Sequence, residues 1–169
     1  MVIFLIGMMG AGKSTVGLAL AKMLGYEFVD LDAVIAKNTE LSISQIFEQF
    51  GEAEFRNIEK RILKENIREN AVIATGGGSV INAENRELMK KTENKKVIWL
   101  KATPSVIAKR LNEDVTRPLL KGKNIVEQIA ELLKIREKMY GAVADVVLDT
   151  ENYTQYELAE KIVGLLAKI

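Results

Sequence analysis

The chain has 169 residues, with 24 basic and 23 acidic side chains and a net charge of +1, so it lacks the basic excess typical of a nucleic-acid-binding protein. It has no cysteine, which excludes disulfides and thiol nucleophiles, and no histidine, so a general base must be a carboxylate, lysine, tyrosine or hydroxyl. The length and a hydrophobic fraction of 48% fit a single domain over residues 1–169. The lack of cysteine is compatible with a cytoplasmic location. No apolar run is long enough to span a bilayer, so we expect no membrane partner.

The first predicted strand, residues 2–6, runs directly into a phosphate-binding pattern. Residues 7–14 read Gly-Met-Met-Gly-Ala-Gly-Lys-Ser and complete the motif G-x-x-x-x-G-K-[ST] before a helical pattern. Its glycines let backbone N–H groups surround a β-phosphate, Lys13 can reach the β and γ oxygens, and the Ser14 hydroxyl can ligate Mg²⁺. The N-terminus of the following helix carries a partial positive charge, which also attracts phosphate. The motif predicts binding of a nucleoside triphosphate by Gly10, Ala11, Gly12, Lys13, Ser14 and Thr15.

The second predicted strand, residues 27–31, leads into two aspartates, Asp30 and Asp32. If the chain stays extended, the alternation of side chains puts both carboxylates on one side, along the crevice of the phosphate loop. One carboxylate would then lie near Mg²⁺ and one near an attacking hydroxyl. In a chain without histidine, Asp32 is the candidate base or hydroxyl-orienting group. The alternative for either residue is a cap of the next helix.

A long helical stretch, about residues 33–69, comes next and carries Arg56 and Glu59 one helical turn apart. Such a pair can fix the guanidinium group for a carboxylate or phosphate, although the spacing alone favours a surface ion pair. In a phosphate-loop fold, an insertion of this kind is where a second substrate site is built.

The third predicted strand, residues 71–75, is followed by Gly76, Gly77 and Gly78. Three adjacent glycines carry an entropic cost that a close backbone approach to a ligand would justify. A flexible turn is the alternative.

After the fourth predicted strand, residues 96–100, a helix is expected to begin at Pro104. The stretch of about 112–122 then predicts a mobile lid. Within it Arg117 precedes Pro118, which favours an extended backbone, and a mobile segment can bring an arginine onto a transferring phosphate. An ordinary exposed loop is the alternative.

The last helices and strand add two further candidates. Arg136 lies on a helix where, taken alone, it would be a solvated residue. The fifth predicted strand, residues 145–148, precedes Asp149 in the shape of a Walker B segment, so Asp149 is a second candidate for the carboxylate near the metal. A structural turn explains Asp149 at least as well.

The order of strands and helices predicts a three-layer α/β fold with a five-stranded, mainly parallel sheet. Capping-box spacing predicts three helix starts: Ser42 with Gln45, Asn124 with Glu127, and Thr154 with Glu157.

Taken together, six motifs closely resemble those of the shikimate kinase family over nearly the whole chain. They are the phosphate loop at 7–15, Asp30-x-Asp32, Phe55-Arg56-x-x-Glu59, Gly76-Gly77-Gly78, Arg117-Pro118-Leu119-Leu120 and Arg136-x-x-x-Tyr140. The phosphate loop alone is shared by many kinases, but the joint set is specific. The resemblance implies a phosphate-loop fold of the nucleoside-monophosphate-kinase type with a mobile lid. It also implies a monomeric enzyme of aromatic amino-acid biosynthesis that transfers the γ-phosphate of ATP to the 3-hydroxyl of shikimate.

The resemblance also implies a role for each site residue. Arg56, Arg136 and the backbone of Gly77 and Gly78 would bind the carboxylate of shikimate, and Asp32 would contact its hydroxyls. Lys13 and Arg117 would neutralise the transferring phosphoryl group, and Arg110 would lie against adenine. Ser14 and Asp30 would organise Mg²⁺, with Asp30 acting through water.

Two other classes of function remain open at this point. One is a different small-metabolite kinase on the same scaffold, such as a gluconate or nucleoside-monophosphate kinase. The other is a non-catalytic ATP-binding module, against which the set of Asp32, Arg56, Arg117 and Arg136 argues.

Overall fold

A computed structural model describes residues 1–112 and 124–168, the side chain of Asn112 excepted. Its five strands are β1 (Val2–Ile6), β2 (Glu27–Asp30), β3 (Ala71–Ala74), β4 (Lys95–Lys101) and β5 (Val146–Asp149). No strand end differs from its predicted position by more than one residue. The strands form one parallel sheet in the order β2-β3-β1-β4-β5, which confirms the predicted fold.

Seven α-helices and one short 3₁₀ turn, Ser79–Ile81, connect these strands within the described residues. The helices are α1 (Lys13–Leu24), α2 (Leu31–Thr39), α3 (Ile43–Asn66), α4 (Ala83–Lys91), α5 (Pro104–Asn112), α6 (Ile125–Gly141) and α7 (Gln155–Leu166). In the part of the chain that the structure describes, no helix is long and apolar enough to cross a membrane. The predicted lid at about 112–122 and Arg117 lie outside the described residues.

The central strand β1 is buried on both faces, which explains why it reads as an unbroken apolar run. Phe4 and Ile6 point to one side, where they pack with residues of α2, α3, α4 and α6. Ile3 and Leu5 point to the other side, against α1 and α7. The sheet is therefore covered by helices on both faces, as predicted.

Strands β2 and β5 lie at opposite edges of the sheet. The chain therefore runs from β1 towards one edge and from the neighbouring β4 towards the other. A crevice opens at the carboxyl ends of neighbouring strands whose connections diverge in this way, and ligands of open α/β sheets bind there. The phosphate loop follows β1, so it lies at this crevice.

The chain does not stay extended through Asp30 and Asp32, and the alternative, a cap of the next helix, is confirmed for Asp30. Asp30 is the N-cap of α2, and its Oδ1 accepts hydrogen bonds from the backbone N–H groups of Asp32, at 3.1 Å, and Ala33, at 3.3 Å. Capping satisfies N–H groups that the first helical turn would otherwise leave unpaired. Asp32 therefore lies in the first turn of α2.

The other helix starts follow the predicted pattern with one exception. Capping boxes form at Ser42 and Thr154, and α5 begins at Pro104. The capping box predicted at Asn124 is wrong, because its side-chain amide donates to the Glu127 carboxylate, at 2.9 Å, instead of accepting from the backbone.

Helix α3 is interrupted at Gly51, where φ is +79° and ψ is +173°. A left-handed φ of this kind is accessible to glycine with little strain, so Gly51 permits the change of direction. The second part of α3 carries Arg56 and Glu59 towards the carboxyl end of the sheet.

The fifth strand joins the sheet through a polar anchor at Asp145. Its carboxylate accepts from Lys95 Nζ, at 2.8 Å, and from the Val97 N–H, at 2.7 Å. Burial alone would raise the pKa of this carboxyl, but the hydrogen bonds from Lys95 and Val97 outweigh burial and lower the pKa below its ordinary value.

Candidate active site

The phosphate loop adopts the backbone that its glycines predict. Gly7, Gly10 and Gly12 have φ values of +140°, +75° and +95°. At Gly7 a side chain is also excluded by space, because a Cβ there would collide with the Leu100 carbonyl of β4. The turn between β1 and α1 is therefore specific to glycine.

Lys13 starts α1 and lies across the loop, with only 8% of its surface exposed. Its Nζ donates to the carbonyl groups of Gly7, at 2.8 Å, and Met8, at 2.9 Å. The ammonium group therefore lies within the loop that its motif predicts to bind phosphates.

A cleft opens at the phosphate loop, and one side of it is lined by the oxygen atoms of Ser14, Asp30 and Asp32. The Ser14 hydroxyl donates to Asp30 Oδ2 at 2.5 Å, so these two side chains meet at the end of β2. Asp32 lines the same cleft. Both predicted carboxylates thus reach the phosphate loop, although one does so as a helix cap and the other from a helix.

The three consecutive glycines each contact a different part of the site. A Cβ on Gly77 would lie 3.0 Å from the backbone nitrogen of Met9 in the phosphate loop. A Cβ on Gly78 would collide with the guanidinium group of Arg56. A Cβ on Gly76 would lie 2.5 Å from Glu59 Oε1 and 3.0 Å from Asp32 Oδ1. The segment is therefore tightly packed, which argues against the flexible-turn alternative.

Arg56 and Glu59 do not form the surface pair that their spacing alone favours. Arg56 is 16% exposed at its side chain, Glu59 is fully buried, and their Nη1 and Oε2 atoms lie 2.8 Å apart. Ser79 adds a second hydrogen bond, from its hydroxyl to Glu59 Oε1, at 2.5 Å. A buried carboxylate with two partners fixes the guanidinium fork beside Gly78.

Arg136 approaches the same loop from α6 and is not a solvated residue. Its Nη1 lies 3.4 Å from the Gly77 carbonyl oxygen and 3.7 Å from Met8 Sδ. One turn later, the Tyr140 hydroxyl donates to the same Gly77 carbonyl at 2.5 Å. Two arginines from separate helices therefore converge on Gly77 and Gly78.

Arg110 lines the same cleft, which has a volume of about 450 Å³. Its guanidinium group donates to the Thr150 carbonyl at 2.8 Å and to the Thr150 hydroxyl at 3.1 Å, with a longer contact of 3.4 Å to the Gly10 carbonyl. These bonds fix Arg110 between the phosphate loop and the segment after β5.

Asp149 does not join this cleft. It lines a separate depression near Lys101 and Glu137, and its Oδ1 accepts from the Glu151 N–H at 2.8 Å. The structure favours the turn over the Walker B alternative.

No pattern in the sequence indicates a role for Thr150, and Tyr140 belongs to a motif without a role of its own. For Ser79, the position directly after the glycines is a local signal of its contact with the site. Thr150 and Tyr140 reach the site only through tertiary packing, because their partners are 40 and 63 residues away in the chain.

Comparisons with known proteins agree with this geometry. The profile of the family described as Shikimate kinase matches residues 9–167. A shikimate kinase from Thermodesulfovibrio yellowstonii is 46% identical over 162 residues, which cover 95% of this chain and 92% of that relative.

Among solved structures, the shikimate kinase from Acinetobacter baumannii in complex with shikimate superposes with a TM-score of 0.92 at 40% identity, covering 99% of this chain and 93% of that one. A gluconokinase from Sinorhizobium meliloti has a TM-score of 0.64 at 19% identity, covering 98% of this chain and 91% of that one, and shares the fold alone. The family profile and these full-length similarities lead to one conclusion: this chain belongs to the shikimate kinase family.

Proposed function

We propose that this chain transfers the γ-phosphate of ATP to the 3-hydroxyl of shikimate, giving shikimate 3-phosphate and ADP in the pathway to chorismate and the aromatic amino acids. The observation that carries the proposal is the two-sided glycine segment, residues 76–78. Gly77 packs against the phosphate loop, while Gly78 packs against Arg56 and the Gly77 carbonyl contacts Arg136. A phosphate donor and a carboxylate-bearing acceptor can therefore bind next to each other.

The acceptor carboxylate binds between Arg56 and Arg136 in this proposal. Glu59 and Ser79 hold the Arg56 guanidinium against Gly78, and Arg136 reaches Gly77 from α6. Two guanidinium groups bind one carboxylate through charge-assisted hydrogen bonds, which orient the acceptor as well as bind it. The backbone of Gly77 and Gly78 completes this half of the site.

Asp32 contacts the reacting hydroxyl. Its carboxylate shares the space beside Gly76 with Glu59 and lines the nucleotide cleft, so it lies between the two halves of the site. Phosphoryl transfer through a loose transition state needs positioning and charge neutralisation more than a strong base. In this proposal Asp32 chiefly orients the hydroxyl, and its carboxylate is also the group that can accept the hydroxyl proton as the O–P bond to ADP breaks and the new one forms.

The phosphate donor, ATP, binds at the phosphate loop in this proposal. The backbone N–H groups of the loop bind the phosphates, and Lys13 neutralises charge on the transferring group. Arg117 serves the same purpose from the predicted lid, a role that rests on the sequence resemblance. Arg110 lies against adenine in the cleft, next to Thr150.

The residues present fit a magnesium ion bound with ATP. Mg²⁺ takes oxygen ligands and uses few protein groups when phosphates and water supply the rest, and Ser14 Oγ and Asp30 Oδ2 offer such oxygens side by side. Bound there, Mg²⁺ would neutralise charge on the β- and γ-phosphates. We also propose a monomeric cytoplasmic enzyme, on the basis of the family resemblance.

The proposal is tested by coupled ADP release with Mg-ATP and a panel of acceptors: shikimate, gluconate, nucleoside monophosphates and none. We expect turnover with shikimate alone. Turnover with gluconate or a nucleotide instead would replace the acceptor assignment, and ATP binding without turnover of any acceptor would favour the non-catalytic module.

The variant Asp32→Asn should lose kcat by a factor of about 100 or more, because an amide cannot accept the proton, while the Kd for ATP stays near the wild-type value. The matched control is Asp149→Asn, since this aspartate lies outside the cleft and an asparagine can still accept from the Glu151 N–H. A fully active Asp32→Asn enzyme would contradict the role of Asp32.

The variants Arg56→Lys and Arg136→Lys keep the positive charge but lose the planar fork, and Arg56→Lys avoids leaving Glu59 buried without a cation. We expect the KM for shikimate to rise roughly 10-fold to 100-fold in each, with a much smaller change in the KM for ATP. Arg61→Lys, at an exposed position of the same helix as Arg56, is the control. An unchanged KM for shikimate in both variants would refute the carboxylate clamp.

A further inference from the structure

Tyr140 is a core residue whose hydroxyl reaches the active site. Its ring is fully buried and stacks on Trp99 of β4, with centroids 5.4 Å apart and an angle of 27° between the planes. The hydroxyl donates to the carbonyl oxygen of Gly77 at 2.5 Å. Because the ring cannot move within the core, the position of the hydroxyl is fixed relative to the sheet.

The Gly77 carbonyl and the Gly78 N–H belong to the same planar peptide group and point in opposite directions. A hydrogen bond that fixes the carbonyl therefore also fixes the direction of the N–H. Arg136 contributes a longer contact to the same carbonyl, 3.4 Å, so Tyr140 makes the shorter of the two. Within the described residues, the structure records no hydrogen bond from the Gly78 N–H to a backbone carbonyl.

Three adjacent glycines do not fix their own conformation, because each can adopt a wide range of backbone angles. The segment must therefore be held by groups outside it. The Ser79 hydroxyl binds Glu59, and the Ser79 carbonyl accepts from Asn85 at 3.1 Å, so the end after the glycines is anchored. The peptide between Gly77 and Gly78 is anchored by α6.

We infer that Tyr140 is a positioning residue for the acceptor: it holds the Gly77–Gly78 peptide so that the Gly78 N–H faces the acceptor carboxylate between Arg56 and Arg136. The inference rests on the proposed function for the identity of the acceptor. It adds a residue that does not itself touch the substrate and acts through a single carbonyl group.

The hydroxyl remains a donor throughout the pH range of an enzyme assay. Burial raises the pKa of Tyr140 to about 12, although the positive charges of Arg136 and Arg56 lower it, and Glu59 raises it further. The hydroxyl is therefore protonated, and can donate to the Gly77 carbonyl, at neutral pH.

The test is the variant Tyr140→Phe, which removes the hydroxyl and keeps the ring that packs on Trp99. We expect the KM for shikimate to rise about tenfold, with kcat and the KM for ATP within twofold of wild type. The matched control is Tyr156→Phe, an exposed tyrosine of α7, which should leave all three constants unchanged. The assays are run well below the melting temperatures of both variants.

A role confined to stability would lower the melting temperature of Tyr140→Phe and leave the KM for shikimate unchanged, which would overturn the inference. An equal rise in the KM for ATP and for shikimate would also overturn it, because the effect would then not be specific to the acceptor.

A second measurement does not depend on the identity of the acceptor. Amide hydrogen exchange in residues 76–79 of the substrate-free protein should be faster in Tyr140→Phe than in Tyr156→Phe. If the wild-type protein does not phosphorylate shikimate but exchange is faster in Tyr140→Phe, the proposed function is refuted and the anchor is supported. Unchanged exchange would refute the anchor whatever the substrate.

Discussion

The site depends on the contact between two backbone segments at the carboxyl ends of neighbouring strands. The phosphate loop follows β1 and the glycine segment follows β3, and the two approach so closely that a Cβ on Gly77 would lie 3.0 Å from Met9 N. Backbone has no rotamers with which to relieve such a contact, so the separation between the nucleotide and the acceptor is set by the sheet itself. Positioning of this kind supplies a large part of phosphoryl-transfer catalysis.

The proposed acceptor half of the site contains a buried ion pair, Arg56 with Glu59. Removal of the Glu59 carboxylate from water is unfavourable, and its bonds with Arg56 and Ser79 offset that loss. The arrangement keeps a guanidinium group rigid beside Gly78 before any substrate arrives. A preorganised cation of this kind does not have to reorganise when it binds a carboxylate. Tyr140 and Arg136 extend the same rigidity to the neighbouring peptide group.

Local patterns in the sequence predicted the sheet and the phosphate loop, whereas Arg56 and Arg136 were placed at the site only by the resemblance to the family. An apolar run, glycines at fixed offsets and a capping serine each determine the backbone near them. The sequence alone could not decide whether Arg56 and Glu59 lie on the surface, since helical spacing is the same for a buried pair and an exposed one. At Asp30 the sequence allowed both strand alternation and a helix cap, and the structure shows the cap of α2. The partners of Tyr140 and Arg110 lie far away in the chain, and no short-range pattern indicates such contacts.

The most direct test of the two-sided glycine segment compares Gly77→Ala with Gly78→Ala, measuring the Kd of each for ATP and for shikimate in folded protein. A methyl group at residue 77 meets the phosphate loop and one at residue 78 meets Arg56. The account predicts that Gly77→Ala weakens both ligands, whereas Gly78→Ala weakens shikimate alone. Wild-type affinity for ATP in Gly77→Ala, or a loss of ATP affinity in Gly78→Ala equal to that for shikimate, would contradict it.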